Sequence, residues 1–110
     1  MREALRHYVG GAWVEPASTD LIEVINPATE EAIGRAAAGI EADVDRAVEA
    51  AASAFGPYSQ SSQEERVALL ERVIEGYEAR FEELAKPNSA EMGAPISLAR
   101  SAQVPMGALQ

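Results

Sequence analysis

The apolar residues of this chain change period at Gly39, and that change restricts the fold more than any other feature. Before it, short runs of alternating or β-branched residues are separated by turn formers, the pattern of half-buried strands. His7-Tyr8-Val9 and Ala12-Trp13-Val14 flank Gly10-Gly11, a pair that accepts the positive φ values of a two-residue hairpin. Leu21-Ile22-Glu23-Val24-Ile25 stops at Asn26-Pro27, since proline donates nothing to a ladder, and Glu31 to Ala36 can return beside it. After Gly39, Val44, Ala47, Val48, Ala51 and Phe55 fall at helical spacing, with Asp43, Asp45, Arg46 and Glu49 assigned to the solvated side. Gly56-Pro57 is expected to end that helix. Ser62-Gln63-Glu64-Glu65 has the form of a capping box. From there Val67, Leu70, Ile74, Tyr77, Phe81 and Leu84 predict one core-facing helical seam. Pro87 is expected to stop it, with Asn88-Ser89 capping a short new helix before a second break at Gly93-Ala94-Pro95. Ile96 to Gln103 reads as helix again, disturbed by Pro105.

Two hairpins and a few helices need a core, and the composition makes that core thin. Of 110 residues, 22 are Ala, whereas Leu, Ile, Val and Phe together number only 23. That share lies close to the border at which highly charged chains stop folding, so one small domain is the most the length supports. The net charge of −9 opposes attraction to nucleic acid or to an anionic membrane surface. No apolar run approaches the ~20 residues of a membrane span, and the first residues lack a secretory leader, so a cytoplasmic location is expected. The absence of Cys excludes a thiol nucleophile, a thiolate metal site and a disulfide within these residues.

Little catalytic equipment remains. Gly10-Gly11 joins two strands and does not open a helix as a phosphate-binding loop would. His7 has no partner nearby in sequence and is expected at an exposed strand edge, and Tyr8 and Trp13 are expected to pack the hairpin. The acidic runs at Glu41 to Asp45 and Glu78 to Glu83 read as solvated helix faces. Ser59, Ser61 and Ser62 sit in no nucleophile elbow.

The order of the pieces carries more information than any one of them. Tyr8-Val9-Gly10-Gly11-Ala12-Trp13-Val14, then Val24-Ile25-Asn26-Pro27-Ala28-Thr29-Glu30-Glu31, then Ile33-Gly34-Arg35 resembles the opening of an aldehyde dehydrogenase. The resemblance continues through Asp43 to Ala51, Ala54-Phe55, Glu65 to Leu70, Glu83-Leu84-Ala85, Glu91-Met92-Gly93-Ala94-Pro95 and Ser101 to Pro105. It covers nearly the whole chain but about the first quarter of a family-length enzyme. The implied fold is α/β: β-hairpins (7–38) and helices (41–104) within a single segment, 1–110, of a discontinuous Rossmann-like cofactor-binding domain that is incomplete here. The helices would pack on a parallel sheet encoded elsewhere.

The implied reaction oxidises an aldehyde to a carboxylic acid with NAD or NADP through a cysteine thioester, in a cytoplasmic, bacterial homo-oligomer. None of the catalytic or nucleotide-contacting residues of the family falls on this chain, so the chain alone is expected to be inactive and to bind no nucleotide. One site carries over. Some family members hold a monovalent cation with backbone oxygens before Asn-Pro and a later acidic side chain, and the matching positions are Val24, Ile25 and Glu91. The competing reading is a strand end and a helix-terminal carboxylate with no ion. Two departures from the family pattern bear on local structure: Ile40 stands where a Ser or Thr helix cap is usual, and Lys86-Pro87-Asn88 interrupts what is usually continuous helix. A different class also fits the residues, a small acidic interaction module that uses the Val67-to-Leu84 seam. A frameshifted product is a third reading of the Pro87 region.

Overall fold

The computed structural model describes residues 1–109. Five strands precede the helices: β1 (Arg2–Ala4), β2 (His7–Val9), β3 (Ala12–Val14), β4 (Leu21–Asn26) and β5 (Glu31–Ala37). The helical part comprises α1 (Glu41–Ser59), α2 (Gln63–Ala79), α3 (Phe81–Met92), α4 (Ile96–Leu98), a π-helical segment (Ala99–Gln103) and α5 (Val104–Met106). The mixed α/β class expected from the sequence is present. The chain divides into two units, one formed by Met1–Val24 with Ala32–Ser61, the other by Ile25–Glu31 with Ser62–Gln110.

In the first unit the Gly10-Gly11 hairpin forms as expected, with φ of 61° and 82° and Tyr8 opposite Trp13. Such values cost a Cβ-bearing residue energy and cost glycine none. The two rings meet edge to face, centroids 5.1 Å apart. Strand β1 has no counterpart in the sequence reading. It lies parallel to β5, pairing Arg2 with Gly34 and Ala4 with Ala36, so the three-stranded order is β1-β5-β4. Gly34 makes this approach feasible: a Cβ there would stand 2.8 Å from the Arg2 carbonyl oxygen. Glu3 and Arg35 add a cross-strand ion pair at 2.6 Å.

Helix α1 starts at Glu41 as expected and departs from expectation at its C-terminal end. It runs through Gly56-Pro57 to Ser59. Pro57 removes only the bond to the Ser53 carbonyl, which lies on an exposed turn where water can replace the lost donor, and the carbonyls left open by the helix end find other donors. The Ser59 hydroxyl donates to the Gly56 carbonyl at 2.8 Å, and Gln60 N–H to that of Pro57 at 3.2 Å. At its start Ile40 has no side-chain acceptor, yet Asp43 accepts the Ile40 N–H at 3.1 Å. Half of a capping box therefore replaces the missing cap.

In the second unit Ser62 and Glu65 form the full reciprocal box, with bonds of 3.2 and 2.7 Å. The single seam expected to Leu84 is instead two helices, broken at Arg80 (φ −106°, ψ 16°), where the sequence has neither Gly nor Pro. Pro87 does not stop the chain; it lies inside α3. The carbonyl it leaves unpaired belongs to exposed Glu83, where water can replace the lost donor. The helix ends where expected, at Gly93, with φ of 71° and its N–H bonded to the Ser89 carbonyl at 2.9 Å.

Pro105 also has a visible consequence. It cannot donate back along the helix, and the turn before it widens to i→i+5 bonding, with Val104 N–H on the Ala99 carbonyl. The Tyr77 hydroxyl donates to the Val104 carbonyl at 2.7 Å, and Arg100 grips Glu82 through two bonds of 3.0 and 2.9 Å. Around them lie the buried apolar side chains Ala85, Ala99 and Val104. No large side chain among the described residues is fully buried. Much of the expected apolar facing is exposed: Val44, Val48 and Phe55 on α1, and Val67 and Leu70 on α2, with Phe55 at 69%.

Candidate functional site

The most highly bonded side chain in the first unit is Asp43, assigned from periodicity to the solvated side of α1. It is buried, at 5% exposure, because it sits in the first turn with the chain folded back across it. Its Oδ1 accepts the Ala17 N–H at 2.9 Å and the Arg46 guanidinium at 2.8 Å, and its Oδ2 accepts the Ile40 N–H. The Ile40 and Ala17 amides, with smaller help from Arg46 and His7, hold the Asp43 carboxyl below the ordinary value of 3.8, against burial, which pushes it up. His7 is half-buried, not an exposed edge histidine: Nδ1 lies 3.8 Å from Asp43 Oδ1, and Nε2 lies 3.4 Å from the Ala37 carbonyl. Arg46 also donates to the Glu15 carbonyl at 3.0 Å. A signal for this cluster exists in the sequence, an Asp three residues after a residue that cannot cap, and amphipathic spacing hides it.

Beside this cluster, Tyr8 to Gly11 and the small residues Ala47, Ala50, Ala51, Ser53 and Ala54 line an open cleft of about 570 Å³. No basic side chain lines it. The cleft is a largely apolar groove whose polar groups are the Tyr8 and Ser53 hydroxyls and the backbone of the glycine turn.

Of the positions matched to a cation site, Val24 is half-buried and Ile25 exposed near the end of β4, and Glu91 is exposed in the last turn of α3. Within the second unit, Gly93 packs on Pro27, where a Cβ would lie 2.6 Å from the ring Cγ. The strand end that carries Ile25 and the helix end that carries Glu91 thus share a neighbourhood. The turn between β4 and β5 is held by Asn26, whose carbonyl accepts from Glu30 at 2.8 Å and whose side chain accepts from Ala28 at 2.9 Å. Among the described residues no group of three or more His, Asp or Glu side chains is arranged to hold a metal, and no helix is long and apolar enough to cross a membrane.

Residues 13–109 match the model of the aldehyde dehydrogenase family. The chain belongs to that family. A Staphylococcus aureus protein (strain bovine RF122 / ET3-1) carrying the same family name is 46% identical over 107 residues, covering 97% of this chain and 22% of the relative. The aldehyde dehydrogenase of Bartonella henselae superposes with a TM-score of 0.96 at 38% identity, over 98% of this chain and 23% of that one. Aldehyde dehydrogenase C of Pseudomonas syringae, solved with NAD+ and octanal, gives 0.93 at 48% identity, over 96% and 22%. The chain spans about a fifth of the length of the aldehyde dehydrogenases it matches.

Proposed function

We propose that these residues serve as the opening part of a bacterial, cytoplasmic enzyme that oxidises an aldehyde to a carboxylic acid with NAD(P)+, consuming water and releasing NAD(P)H. The observation that carries this reading is the likeness, at 48% identity and a TM-score of 0.93, to a Pseudomonas syringae enzyme solved with NAD+ and octanal. The residues present do not themselves fit the nucleotide. Their one glycine pair is a hairpin turn, and their apolar cleft has no basic side chain. No step of the reaction is therefore assigned to them, and the thiol of the proposed thioester would come from residues outside this chain, which has no Cys.

What these residues supply is scaffold. The exposed apolar faces of α1 and α2 fit surfaces that the rest of the enzyme covers, as does the small interior. Assembly as a homo-oligomer belongs to the same proposal. So does a monovalent cation on the carbonyls of Val24 and Ile25 with the Glu91 carboxylate, a reading supported by the Gly93–Pro27 contact next to two of those residues.

The test compares the isolated chain with a family-length protein that carries it. The family-length protein is expected to produce NAD(P)H from an aldehyde and the isolated chain is not. NAD(P)H production by the isolated chain would refute the assignment of chemistry to other residues. Failure of the longer protein with every aldehyde class would refute the activity. For the cation, thermal stabilisation by K+ over a bulky organic cation should disappear in Glu91→Gln, and a stabilisation that survives the substitution refutes the site.

A further inference from the structure

We draw no further inference here: the strongest candidate, the side-chain cluster of His7, buried Asp43 and Arg46 at the start of α1, closes on backbone groups of its own unit as a structural clasp and belongs to the site already described.

Discussion

The turn at Gly93 is the place where sequence, backbone and packing can be separated by one substitution. Gly93→Ala meets two costs. Its φ of 71° lies in the left-handed region, which charges an L-residue about 1–2 kcal/mol. Its new Cβ would also stand 2.6 Å from Pro27 Cγ, and forcing a methyl into packed surroundings costs about 1–3 kcal/mol. The sum is about 2–5 kcal/mol, a large share of the stability of a small domain.

Pro27→Ala removes the offending Cγ. The next atoms the methyl would meet are the Ala28 nitrogen and the Pro27 Cβ, both at 3.5 Å, an ordinary contact. In the Pro27→Ala background Gly93→Ala should therefore cost only the backbone part, and a double-mutant cycle should return a coupling of about 1–3 kcal/mol. Urea unfolding followed by far-ultraviolet circular dichroism gives the four stabilities, with equal slopes showing that only stability has changed. The reasoning fails if Gly93→Ala costs less than about 1 kcal/mol. It fails equally if the cost is the same in both backgrounds, since the contact between the Asn26-Pro27 turn and the end of α3 would then be absent.

Other expectations follow from single features. Pro87→Ala should stabilise the chain by up to about 3 kcal/mol, because it restores the bond to the Glu83 carbonyl in the interior of α3; an unchanged urea midpoint would show that the helix has already relaxed around the ring. Ser62→Ala should cost about 1 kcal/mol by removing the acceptor for the Glu65 N–H, and a loss no greater than for an exposed Ser→Ala elsewhere would argue against the capping box. Asp43 and Glu82 both have carboxyls held below their ordinary values, Asp43 first by the Ile40 amide and Glu82 first by its Arg100 bonds. Each therefore contributes stability that is fully present above the ordinary carboxylate value and is lost as pH falls through its lower folded value. Asp43→Asn should flatten the acid limb of a stability-against-pH curve, and a limb of unchanged slope would show that the carboxylate is not preferentially charged in the folded state.

The sequence reads well where structure is decided within a few residues. Gly10-Gly11 needs two positive φ values, Ser62-x-x-Glu65 needs only its own turn, and Gly93 needs one left-handed residue; each is found where its chemistry places it. Strand β1 could not be read, because three residues with no exceptional pattern become a strand only through a partner some thirty positions away. Two prolines lie inside helices they are expected to end. At Pro57 and Pro87 the missing donor removes a single bond, to the carbonyls of exposed Ser53 and exposed Glu83 respectively, where water can take the donor's place, so the helix continues.

Periodicity raises a subtler difficulty at α1. Spacing of Val44, Val48 and Phe55 identifies a face of the helix that favours burial, yet that face is exposed and Asp43 is buried instead. Both outcomes follow from the same physics. An apolar stripe states that a partner surface is worth having, without saying whether that surface lies within these residues. A first-turn aspartate can be buried because unpaired amides at a helix start, together with a returning loop, replace its water shell with hydrogen bonds. A structure more than four times as long keeps this segment's fold, at a TM-score of 0.96 where the two overlap, so the stripe fits half of an interface and Asp43 a contact completed within the segment. The two kinds of signal differ in what they need. Capping and buried hydrogen bonds close on near neighbours, whereas an amphipathic face closes only on whatever the rest of the protein brings to it.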